Sequence, residues 1–97
     1  MPSQMPSQRI IKDLIVKNAH GLHARSGALL AKTANQFESE VTLEKNGQAV
    51  NGKSIMGVLM LAASQNSVLT VTVEGTDAEA AMAAIAALFE AGFNEAP

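Results

Sequence analysis

Residues 68–74 read VLTVTVE, an alternation without a break. Leu69, Val71 and Val73 fall on one side of an extended chain and Thr70 and Thr72 on the other, because successive side chains in a strand point to opposite faces. A strand divided in this way lays one face on a core and leaves the other to water. It therefore fits an antiparallel sheet covered on one side, not a parallel sheet buried between two helical layers. Residues 40–45, EVTLEK, repeat the pattern with Val41 and Leu43 on the apolar face. Asn46-Gly47 follows. This pair is the strongest short hairpin signal, since a type I′ turn needs positive φ at both central positions. It predicts a return strand over 48–51.

The other elements follow from period and punctuation. RIIKDLIVK, 9–17, is β-branched and predicts a strand, although its alternation is imperfect. NAHGLH, 18–23, reads as a loop around Gly21. Leu30, Ala34 and Phe37 then recur at helical spacing with Ala31 alongside, which predicts a helix starting at or just after His23 and running to 37. KSIMGVLMLAA, 53–63, is almost wholly apolar. It fits a buried strand or a short helix, and Ser54 as an N-cap favours a helix from Ile55. Thr76 and Glu79 have the spacing of a capping box. The Ala-rich run after them puts Met82, Ile85, Leu88, Phe89 and Phe93 on one stripe, with Gly92 placed to close the helix. The order is β-α-β-β-α-β-α. This is an α+β open-faced sandwich, a four-stranded antiparallel sheet with three helices on one face. The pattern leaves a ferredoxin-like strand order open.

Ninety-seven residues suit one domain, expected over 9–97. The first eight, MPSQMPSQ, lack an apolar stripe and predict a flexible tail. They also lack the basic start and apolar stretch of a signal peptide, so the expected location is cytoplasmic. The chain is 47% hydrophobic, too apolar for a disordered segment, and its three aromatics are all Phe. A net charge of −2 and few aromatics give no attraction to phosphate backbones and no stacking platform, so nucleic acid is not an expected partner. No apolar run approaches the roughly 20 residues of a membrane span. With no Cys and two His, disulfides and Cys-ligated zinc are excluded, and neither a metal nor a cofactor is expected.

Three features together carry a resemblance: NAHGLHARSGALLAKTANQF at 18–37 with its GLHAR core, NGKSIMGVLMLA at 51–62, and the order of elements from Arg9 to Phe93. The chain resembles the HPr family, the histidine-containing phosphocarriers of the bacterial phosphoenolpyruvate-dependent sugar phosphotransferase system. The ending IAALFEAGFNE looks most like the nitrogen-type branch. The resemblance implies that His23 takes a phosphoryl group from enzyme I through Nδ1 and passes it to enzyme IIA domains. It implies that Ser54 is a regulatory target of HPr kinase/phosphorylase. It also implies a monomeric carrier, not an enzyme with a small substrate of its own. A regulatory adaptor acting through Ser54 or by docking is the alternative; the intact His23-Ala24-Arg25 argues against it.

The residues themselves fit that chemistry. Imidazole is neutral in good part at cytoplasmic pH, and a neutral ring nitrogen is a nucleophile toward phosphorus. At a helix start the phosphate meets unpaired amides, each such contact worth roughly 0.3–1 kcal/mol when exposed. Arg25 can add a guanidinium to the same oxygens. Taken alone, His23 is an ordinary helix N-terminal residue, and His20 reads as an exposed loop residue. The family commonly has Pro-Ala where Ser26-Gly27 stand. Gly in a first turn costs up to about 1 kcal/mol relative to Ala, which predicts a looser helix start. Leu22, Ser26, Gly27 and Lys32, with Ile55, Met56 and Leu59, are the expected partner-binding residues. The last three form an apolar patch, and Lys32 suits an acidic rim.

Overall fold

A computed structural model describes residues 7–97. The elements are β1 (Gln8–Ile15), α1 (Ala24–Ala34), β2 (Glu40–Lys45), β3 (Gln48–Asn51), α2 (Ile55–Met60), β4 (Val68–Gly75) and α3 (Ala78–Glu90), followed by a short 3-10 turn, Gly92–Asn94. The strands form one antiparallel sheet in the order β1-β4-β2-β3, which settles the strand order that the pattern left open. Of the expected tail, residues 1–6 lie outside the described residues, and Gln8 already belongs to β1.

β4 is central, and its alternation sets the layers. Val73 pairs with Ile10 on one side and Val41 on the other, and Val71 pairs with Lys12 and Leu43. Leu69, Val71, Val73, Val41 and Leu43 are buried on this face beneath Leu30 and Ala34 of α1, Val58 of α2, and Met82, Ile85 and Phe89 of α3. Each fully buried large side chain of this kind contributes roughly 1.5–3 kcal/mol of transfer free energy. The opposite face carries Thr42, Thr70 and Thr72 and is open. The uneven alternation of β1 follows from its edge position. Ile10 and Leu14 pack on the core while Ile11 and Ile15 stay exposed on the open face. The strand stops at Ile15, two residues short of expectation. The buried Val16 then bonds irregularly, its amide to Ser67 O and its carbonyl from Asn66 N.

Three boundaries differ from the sequence reading. α1 ends at Ala34, not Phe37, because the Asn35 side chain donates to Ala31 O (2.8 Å) and Lys53 O (2.9 Å) and turns the chain. At the start of α3 the N-cap is Asp77, not Thr76. Its carboxylate leaves its own helix and accepts from the amides of Glu38 and Ser39, both at 2.9 Å, and from the Ser39 hydroxyl. Glu79 accepts from Gln8 instead of closing a capping box. At the far end Gly92, at φ +60°, terminates α3, so Phe93 is not on the helix stripe. It folds back edge-on to Phe89, with ring centroids 5.0 Å apart. That fold-back carries the C-terminal residues toward the loop before α1.

Candidate functional site

The 18–23 loop is shaped by Gly21. Its φ is +67°, and a Cβ there would strike the Ala63 carbonyl and lie 2.9 Å from Ser64 Cα. Only glycine combines that dihedral with that approach at low cost. Leu22 follows, its amide donating to Ala63 O at 2.8 Å and its side chain buried. His23 thus arrives with extended backbone (φ −130°, ψ −170°) as the N-cap of α1. Ser26, fully buried in the first turn, locks this entry. Its hydroxyl accepts from His23 N (3.0 Å) and donates to Gly21 O (2.9 Å). Gly27 N closes the turn on His23 O at 2.6 Å.

The His23 ring is about 38% exposed and is held from one side. Nε2 lies 3.1 and 3.0 Å from the two carboxylate oxygens of Glu95. Glu95 is only 8% exposed. It is fixed in turn by Asn18, a fully buried side chain whose Nδ2 donates to Glu95 Oε1 and Gly21 O, both at 2.8 Å. Ala19 N donates to Ala96 O at 3.1 Å and keeps the C-terminal segment on the loop. The hydrogen bond from His23 holds the Glu95 carboxyl below the usual carboxylate range; the bond from Asn18 and the charge of Arg25 add to it, while desolvation opposes it.

This network assigns the tautomer. A carboxylate on Nε2 keeps the proton there and leaves the lone pair on Nδ1. The His23 side chain closes over the Ser26 backbone amide, short of a full hydrogen bond. Ala24, Arg25 and Ser26 are the first three helical residues, whose amides have no carbonyl one turn back. Arg25 is exposed beside them. The result is an accessible imidazole with one nitrogen fixed, its lone-pair nitrogen toward a helix mouth, and a cation nearby. Such a site can accept an anionic group and give it up again.

The other anticipated residues divide. Ser54 caps α2 as expected, its hydroxyl accepting from Gly57 N at 3.0 Å. Ile55 (46% exposed) and Met56 (71%) face solvent, Leu59 is half-buried, and Met60 is a further exposed apolar residue at the end of α2. Lys32 is exposed on α1. Leu22, Ser26 and Gly27, expected at a partner surface, are buried instead. A Cβ on Gly27 would lie 3.2 Å from Leu59 Cδ2, so this glycine faces α2 at close range. The Ser26 hydroxyl ties the first turn of α1 to the loop, a contact that acts against the looseness expected from Gly27. His20 is exposed, its ring 5.8 Å from that of His23 in a T-shaped arrangement. Among the described residues no group of three or more His, Cys, Asp or Glu could hold a metal, and no helix is long and apolar enough to cross a membrane. Asn18 and Glu95 were not anticipated at the site. No local pattern marks them, because 77 residues separate the pair and only the fold-back after Gly92 joins them.

The fold and site together define a small carrier built on a one-sided α+β sandwich. The family model described as "PTS HPr component phosphorylation site" matches residues 10–91. A phosphocarrier protein HPr of Xylella fastidiosa is 52% identical over 83 residues, covering 86% of this chain and 93% of that one. A multiphosphoryl transfer protein of Vibrio cholerae is 47% identical over 82% of this chain, although the match spans 21% of that larger protein. The crystal structure of HPr-C-His from Thermoanaerobacter tengcongensis superposes with a TM-score of 0.87 at 41% identity, covering 91% of this chain and 99% of that one. The chain belongs to the HPr family, and its function is that of a phosphocarrier of the phosphotransferase system.

Proposed function

We propose that His23 is the residue that carries the phosphoryl group. The observation that carries the reading is the placement of its ring at the mouth of α1 with Nε2 on Glu95 and Arg25 alongside. The Nδ1 lone pair attacks phosphorus and an N–P bond forms. The donor's bond to phosphorus breaks with its electron pair leaving on the donor. The new phosphate lies toward the Ala24–Ser26 amides and within reach of Arg25. Return of the N–P electron pair to Nδ1 delivers the group to the next acceptor. In this reading enzyme I is the donor, enzyme IIA domains are the acceptors, and the chain is a cytoplasmic carrier that catalyses no reaction of its own.

Ser54 is the proposed regulatory site. A phosphate there would bring roughly −1.5 to −2 charges beside the exposed Ile55 and Met56 and disfavour docking of an apolar partner surface. HPr kinase/phosphorylase is the enzyme expected to act on it. Ile55, Met56 and Leu59 would form the centre of the docking patch, with Lys32 at its margin.

The test is to incubate the chain with phosphoenolpyruvate and enzyme I and to follow acid-labile phosphate. Label on the wild type that disappears in His23→Ala is the expected result. Absence of label on the wild type would leave only the adaptor reading. Charging by a nitrogen-type enzyme I in preference to a sugar-type one would place the chain in the branch that its ending resembles.

A further inference from the structure

The C-terminal carboxylate at the site has no part in a minimal account of transfer, which needs only the ring, the helix mouth and the guanidinium. We infer that Glu95 is a positioning residue for phosphoryl transfer, holding the Nε2 proton of His23 through both carboxylate oxygens while the buried Asn18 holds Glu95.

A half-exposed imidazole at an N-cap is free to rotate about its side-chain bonds, and a rotated ring points the wrong nitrogen at the helix mouth. Two contacts of 3.0 and 3.1 Å from one nitrogen to one carboxylate fix the ring plane and the proton together. A surface glutamate would give little, because exposed ion pairs are weak and mobile. Glu95 is different: it is 8% exposed, and its other anchor is a fully buried amide. That amide also bonds Gly21 O, the carbonyl that receives the Ser26 hydroxyl, so the carboxylate, the loop and the first turn of α1 share one set of hydrogen bonds. A carboxylate that orients the far nitrogen of a reacting imidazole is a recurrent arrangement in nucleophilic sites.

Charge supports the same role. When Nδ1 gives its electron pair to phosphorus while Nε2 keeps its proton, the ring becomes an imidazolium. The carboxylate on Nε2 stabilises that charge without taking the proton. When the N–P bond breaks, the pair returns to Nδ1 and the ring is again neutral with its proton still on Nε2. No proton needs to enter or leave in either direction, which suits a reversible carrier.

The inference rests on His23 as the acceptor, and the experiment separates the two. The full chain and its Glu95→Gln, Glu95→Ala and His23→Ala variants are compared as substrates of enzyme I charged with phosphoenolpyruvate, with kcat and KM for the carrier resolved. Glu95→Ala is expected to lower kcat about 10-fold or more with KM changed by less than about 2-fold, by analogy with the roughly 10–100-fold losses when the carboxylate partner of a metal-ligating histidine is removed. Glu95→Gln keeps the shape and one acceptor oxygen and is expected to fall between wild type and Glu95→Ala. Long-range ¹H–¹⁵N spectra of the uncharged chain supply a readout without catalysis: the His23 Nε2 proton should be slow to exchange in the wild type and fast in Glu95→Ala. Wild-type kcat in both Glu95 variants, or a loss confined to KM, overturns the positioning role and leaves His23 as acceptor. Labelling that persists in His23→Ala overturns the reading beneath it.

Discussion

At the scale of single residues, two carboxylates separated in sequence do comparable work at opposite ends of α3. Asp77 ties the start of the helix to the loop before β2, and Glu95, just beyond the other end, ties the C-terminal segment to the loop before α1. The Asp77 carboxyl is held below its ordinary range by the Ser39 hydroxyl first and the Glu38 amide next, and Glu95 by His23 and Asn18. A carboxylate whose folded-state pKa is depressed adds its full stability above the unfolded-state value, about 4, and loses it as pH falls through the folded-state value. Urea denaturation should therefore give a midpoint that is flat near pH 6 and falls below about pH 4. Asp77→Asn should lower the midpoint at pH 6 and flatten the acid slope. An acid slope unchanged by that substitution would contradict the assignment.

Among the elements, Gly27 of α1 faces Leu59 and Val58 of α2. The methyl group of an alanine there would press on Leu59 Cδ2, the end of a half-buried side chain that can rotate, while Val58 Cγ1 at 3.5 Å is at ordinary contact distance. Helix propensity favours alanine by up to about 1 kcal/mol. The small steric cost at Leu59 is of lesser size, so Gly27→Ala should stabilise the fold by a few tenths to about 1 kcal/mol in thermal or urea unfolding. A loss above about 1 kcal/mol would show that Leu59 cannot move and that the two helices are locked at this distance. Much of this level was legible in advance. The alternation of β2 and β4, the Asn46-Gly47 turn with both φ values positive and the Ser54 cap all lie where local rules put them. The C-terminal end of α1 and the start of α3 did not, because Asn35 and Asp77 spend their side chains on other parts of the chain.

Considered as a whole molecule, the chain presents one helical layer, one open sheet face, and an exposed apolar group at α2. Met56 has no core role, so Met56→Asp should change stability by less than about 0.5 kcal/mol. If this surface docks the transfer partners, the same variant should lower kcat/KM for phosphoryl transfer about 10-fold or more, chiefly through KM. Transfer at the wild-type rate would remove Met56 from the docking surface.

The class of fold, the position of His23 at the start of a helix and the Ser54 cap are written in the chain, because alternation, turn chemistry and capping act over a few neighbouring residues. Packing alone fixes which ring nitrogen of His23 is held, turns Ser26 and Gly27 inward, and brings Glu95 to the site. The Glu95 contacts join the loop before α1 to the C-terminal segment, and no local preference encodes a meeting of residues more than seventy positions apart.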